Sequence, residues 1–138
     1  QGQDDVTSRI RHFNVDTKIA LQQYDAVSYF NGKPLKGDKA FQTTFKGITY
    51  FFYNAQNLNS FKSNPEKYEP VYGGWCAYAM GYDGTKVEID PQTFKIIEDK
   101  LYLFYNFYFT NTLKKWNENE VVLKGRADKN WLNTIISK

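Results

Sequence analysis

Phe41-Gln42-Thr43-Thr44-Phe45-Lys46-Gly47-Ile48-Thr49-Tyr50-Phe51-Phe52-Tyr53 decides the class of fold. Phe41, Thr43 and Phe45 alternate with their neighbours and so share one face of a strand. Lys46-Gly47 reads as a tight turn, because glycine accepts the positive φ that hairpin turns require. Ile48 to Tyr53 is β-branched and aromatic, the composition of a packed return strand. The run therefore predicts a β-hairpin.

Outward from it, Asp25 is placed to cap a short helical turn over 26–30, and Asn31-Gly32-Lys33-Pro34 reads as a turn. On the C-terminal side Asn54 is an N-cap for a helix over 55–63. Ala55, Leu58 and Phe61 face inward at helical spacing, and Asn64-Pro65 ends the helix. Asp90-Pro91 marks a break before a second hairpin, Phe94 to Ile97 and Leu101 to Tyr105, turning at Glu98-Asp99. The return strand is apolar on both faces and predicts cover on both sides. Phe109, Leu113 and Trp116 form one helical stripe. Leu123, Ala127, Trp131 and Ile135 form another, with a break near 117–119. The expectation is an α+β fold: two short β-hairpins in a small antiparallel sheet packed with helices, and a helical C-terminal third. Residues 1–15 read as a flexible lead-in and 16–138 as one domain.

Composition excludes several function classes. The 138 residues carry 11 Tyr, 11 Phe and 3 Trp, so the core is expected to be built from rings. A net charge of +3 does not mark a nucleic-acid binder. The run from Lys46 lacks the stacking ring of the RNA-reading strand motif, since Ile48 and Thr49 stand at its third and fourth positions. No stretch reaches the roughly 18 apolar residues of a membrane span. One Cys and one His exclude a closed zinc site, which needs about four ligands. They also leave no base beside Cys76 to make a nucleophile, so no catalytic residue is assigned. Asp83-Gly84 lacks the acidic ladder of a calcium loop.

Tyr72-Gly73-Gly74-Trp75-Cys76-Ala77-Tyr78-Ala79-Met80 holds the only Cys and the only Met. Thiolate and thioether are soft ligands that select Cu(I). On a helix, residues four apart lie one above the other, so Cys76 and Met80 could close on one ion, with a partner or a second copy of the chain completing the shell. In the other reading Cys76 is a buried core residue. Tyr24, Tyr29, Tyr72, Trp75 and Tyr78, with Asp25 beside them, then form an aromatic surface for a small ligand or a protein.

Leu21 to Phe30, with Tyr24-Asp25 and Tyr29-Phe30, resembles the opening of YHS-domain proteins. Gly32 to Gly37, Tyr50-Phe51-Phe52, Phe61 with Asn64-Pro65-Glu66-Lys67-Tyr68, and Tyr72 to Ala77 continue the likeness. So do Asp90-Pro91, Leu101-Tyr102-Leu103, Tyr105-Asn106, Trp116 and Ala127 to Trp131. Ala26 and Gln23 depart from it, standing where the pattern has Pro and Gly. The stretch from Phe52 to Phe61 lacks the cysteines of the family's metal-binding branch. The resemblance is to the single-domain, exported bacterial branch. It implies a periplasmic or extracellular location after removal of a leader and an association with metal, copper above all, while the lack of a base beside Cys76 leads to the expectation of a non-enzymatic domain.

Overall fold

The structure, a computed structural model, describes residues 2–137. Helix α1 spans Gly2–His12, followed by two short strands, β1 (Val15–Asp16) and β2 (Ile19–Ala20). The first hairpin is β3 (Asp38–Phe45) and β4 (Ile48–Phe52), in the register Phe45 to Ile48 and Thr43 to Tyr50. Lys46 and Gly47 both take positive φ at its turn, as the sequence requires. Then come α2 (Ala55–Ser63), α3 (Pro65–Tyr68) and α4 (Ala77–Tyr82). The second hairpin is β5 (Asp90–Ile97) with β6 (Lys100–Phe104), turning at Glu98-Asp99. A small third hairpin, β7 (Asn106–Phe107) and β8 (Thr110–Asn111), leads into α5 (Thr112–Glu118) and α6 (Glu120–Ile136).

The α+β class holds, but the two main hairpins do not share a sheet. The first belongs to a four-stranded sheet in the order β1-β2-β4-β3, and β5-β6 is a separate pair. One side of β4 and part of the free side of β6 are occupied by other partners. Ile19 of β2 pairs in parallel with Thr49 of β4, and Pro70 bridges Leu101 of β6.

The two pairs meet through side chains. Along β6, Leu101 and Leu103 pack with Ile48, Tyr50, Phe52, Phe61 and Cys76. Tyr102 and Phe104 point the other way, to Tyr72, Met80, Trp116, Leu123 and Ala127. Successive side chains of a strand alternate between faces, so β6 separates two apolar clusters and is buried by both.

Residues 2–12 are helical rather than a flexible lead-in. Arg9 explains the difference: its guanidinium donates to the carbonyls of Lys46 (3.0 Å) and Phe45 (3.3 Å) and to Glu69 (2.5 Å). Its fork of donors fits a turn full of carbonyls, so a polar residue anchors the helix. At the same turn an added Cβ on Gly47 would stand 2.9 Å from Val6, so the helix lies directly on the hairpin. Ser8 donates to the carbonyl of Ile135, and Phe13 packs on Trp131 at 5.8 Å, tying the segment to α6.

Phe109 is likewise not helical. With Tyr108 it forms the tip of the third hairpin, and the helix begins only at Thr112, where Asn111 accepts from the Leu113 N–H as N-cap. The expected break before the last helix is present: α5 ends at Glu118 and Asn119 caps both helices.

Candidate functional site

The Cys76 segment opens with an abrupt change of direction. Tyr72, Gly73 and Gly74 have φ of 56°, 62° and 87°. Gly73 is required twice over, by its φ and by Trp131, whose ring would lie 2.7 Å from a Cβ there. Asn14 holds the turn through its N–H to the Gly73 carbonyl and its amide to the Gly74 carbonyl.

Cys76 follows as the N-cap of α4, outside helical φ/ψ. Its sulfur is wholly buried and accepts the Tyr105 N–H at 3.3 Å, with the Thr112 hydroxyl at 3.4 Å. Met80 is also wholly buried, but its neighbours are those of the second cluster, Phe104, Trp116 and Leu123. The segment is helical from Ala77, with Cys76 just outside it at the N-cap, and the two side chains pack in different apolar clusters. The pair does not fit a Cu(I) centre. One sulfur is already hydrogen-bonded, the other packs in a different cluster, and neither is open to a partner's ligand. Among the described residues no three His, Cys, Asp or Glu side chains converge to hold a metal.

The six residues assigned to an aromatic surface are dispersed. Asp25 is completely buried, and its carboxylate accepts four hydrogen bonds. One oxygen takes the N–H groups of Val27 and Ser28, the other the Tyr53 N–H and the Asn57 amide. It joins the 25–31 turn, the end of β4 and α2, with no lone pair directed at a ligand. Tyr29 is buried and donates to the Pro91 carbonyl at 2.5 Å, and burial raises its phenol pKa far above the usual value. Tyr24 lies nearby, its hydroxyl 3.3 Å from the Gln92 amide and its ring under Lys36. Trp75 donates to the His12 carbonyl, and Tyr78 stacks on Tyr82.

Tyr72 borders an open groove. It lines a groove of about 540 Å³ with Phe13, Pro70, Asp128, Trp131 and Ile135, and Glu66, Glu69 and Lys100 stand at its margin. The Tyr72 hydroxyl donates to Asp128 at 2.7 Å. Burial, then this bond, holds its phenol protonated well above the ordinary tyrosine range. Glu69 is engaged by Arg9 and by the Tyr50 hydroxyl. Of the three lining carboxylates, Glu69 pairs with Arg9, Glu66 with Lys46 and Asp128 with Lys124, so the groove is aromatic with charges of both signs around it. Phe13 and Trp131 escape a reading of local motifs because they come from opposite ends of the chain. The run from Ala127 to Trp131, whose Asp128 and Trp131 both line the groove, was the available signal.

A second feature absent from the sequence reading is the tip of the third hairpin. Phe107 and Tyr108 are exposed, Tyr108 to 88%, and Phe109 projects entirely into solvent. Tyr108 and Phe109 have φ of 53° and 65°. That conformation suits Asn-Gly and costs about 1–2 kcal/mol per residue with a Cβ.

Among the described residues no helix is long and apolar enough to cross a membrane. No curated protein and no solved structure matches the chain. A family model does match, over residues 26–72, from the turn capped by Asp25 through the first hairpin, α2 and α3 to Tyr72. Over that span the chain matches the YHS domain, a module associated with metal handling.

Proposed function

We propose that the chain is a non-enzymatic binding module whose site is the groove between α1, the Tyr72 turn and α6, and that Cys76 serves the fold alone. The groove carries this reading: Phe13, Tyr72 and Trp131 supply ring surface, and the Asp128 carboxylate stands beside them, held by the Tyr72 hydroxyl and Lys124. Ring faces and carboxylates together favour a small organic cation, which gains from the π-face and from the charge. Copper handling, the expectation from the family, is the less favoured reading, because the Cys76 sulfur is buried and hydrogen-bonded to Tyr105 and Thr112. A periplasmic or extracellular setting, drawn from the same resemblance, suits a module that captures a ligand without transforming it.

An amide-resolved NMR titration with choline, and with acetate as the anionic control, tests the proposal. Choline should move the signals of Gly73, Asp128 and the Trp131 indole, and Trp131→Ala should abolish the response. Equal shifts with acetate, or none with choline, would falsify the cation-binding reading. A parallel Cu(I) competition titration on wild type and Cys76→Ala separates the two readings, since only a copper site loses affinity with the thiol.

A further inference from the structure

The third hairpin is built to display rings. Its base is rigid: the Thr112 N–H and hydroxyl both donate to the Tyr105 carbonyl, Tyr105 leans on Cys76, and the Asn106 amide donates to Thr93. The Phe107 ring rests edge-on against Tyr105 at 5.0 Å. Beyond this footing Tyr108 and Phe109 stand in the disfavoured left-handed region with their rings in water. Thr17-Lys18 and Glu98-Asp99 close their hairpins with the same positive φ, so the conformation alone is not peculiar to this turn. What sets this tip apart is that both of its turn residues are aromatic and almost fully exposed, a surface open to a partner.

The shape and charge of the tip select the occupant. Two rings bury about 150–250 Å² each, well short of the roughly 800 Å² per partner of a stable protein interface. A projecting point also offers no rim to exclude water around a protein contact. Phe beside Tyr, one apolar and one amphipathic, matches the boundary between lipid headgroups and acyl chains, where the surrounding medium is itself the partner. Charge agrees. Residues 101–117 contain no acidic side chain, and the exposed Lys114 and Lys115 lie in the short helix α5, which follows the hairpin directly. Glu118 closes α5 at its far end, and Glu120 is held by Lys95 at 2.6 Å. Basic residues beside an inserting tip favour anionic lipid.

We infer that the Phe107–Phe109 hairpin tip is a membrane-interface anchor, in which Tyr108 and Phe109 enter the headgroup layer of an anionic bilayer and Lys114 and Lys115 pair with its phosphates. Its occupant and its location are independent of the groove.

Sedimentation with vesicles of phosphatidylcholine and phosphatidylglycerol in equal parts, and with phosphatidylcholine alone, tests this. Wild type should partition onto the mixed vesicles and much less onto the neutral ones. The double substitution Tyr108→Asn with Phe109→Gly installs a favourable turn, so it should raise the melting temperature while weakening binding by about tenfold or more. Lys114→Gln with Lys115→Gln should reduce binding to the mixed vesicles only. No partitioning of wild type, or a double turn variant that is more stable and binds as well, overturns the inference. A wild-type protein that ignores vesicles but self-associates through the tip, seen as a dimer lost in the turn variant, overturns it too.

Discussion

The backbone N–H of Tyr105 donates to the sulfur of Cys76 across 3.3 Å, in a site sealed from solvent. This bond joins the cap of α4 to the foot of the third hairpin, and the Thr112 hydroxyl completes the corner. Cys76→Ala removes the sulfur, leaves a small void and orphans a buried N–H, so a loss of about 1–3 kcal/mol is expected in urea unfolding. In wild type a thiol reagent should react only at the rate of unfolding. Rapid labelling of the folded protein would contradict the burial of the sulfur.

Asp25 is the most heavily hydrogen-bonded carboxylate described. Asn in its place turns an acceptor oxygen into an NH2 group facing two donors, and each orphaned donor costs about 1–3 kcal/mol. Asp25→Asn should therefore lower stability by about 3 kcal/mol, and the 25–31 turn should lose amide-exchange protection first. Groove binding, built from other elements, should survive in the fraction that folds.

Gly81 lies inside α4, where Ala normally has the better helix propensity. A Cβ there would stand 2.6 Å from the Leu123 carbonyl oxygen. Because the obstacle is the backbone of α6, it cannot rotate aside. Gly81→Ala should destabilise by about 1–3 kcal/mol, against the propensity trend. The control is Gly125→Ala in α6, where nothing lies within 4 Å and a gain of up to about 1 kcal/mol is expected.

Tyr29, Tyr50, Tyr72 and Tyr102 all have raised pKa values, with burial the leading cause in each case. Unfolded tyrosine ionises near 10, so the native state holds these protons where the unfolded chain releases them. The stability they contribute is complete below pH 10 and falls as the pH rises above it toward the native values. Unfolding followed by phenolate absorbance should thus be cooperative and alkaline. Tyr72→Phe should shift the midpoint upward, since it removes one proton difference. A gradual, non-cooperative phenolate titration would show these rings to be accessible.

What was legible in the sequence was local. Lys46-Gly47 and Glu98-Asp99 both turn where expected, the Asn54 side chain accepts from the Asn57 N–H as helix cap, and the alternation of Leu101 to Phe104 shows a strand buried on both faces. Each signal lies within a few residues of its consequence. Failures came where a polar residue did apolar work or distant segments met. Arg9 docks α1 by satisfying turn carbonyls, which no hydrophobic pattern registers. Phe109 fell in step with Leu113 and Trp116 by helical spacing, although the Asn111 cap starts the helix after it. The aromatic site was drawn around neighbours in sequence, whereas the groove unites Phe13, Tyr72 and Trp131.

That union sets the order in which the molecule becomes competent. Residues 26–72, the span that matches the family, contribute Tyr72 to the groove, but the Asp128 that accepts its hydroxyl and the Trp131 that covers Gly73 belong to α6. A ribosome making this chain lays down the entire matched span while one wall of the groove is still untranslated. A product cut before residue 120 keeps the matched span intact but lacks the Asp128 and Trp131 wall of the groove.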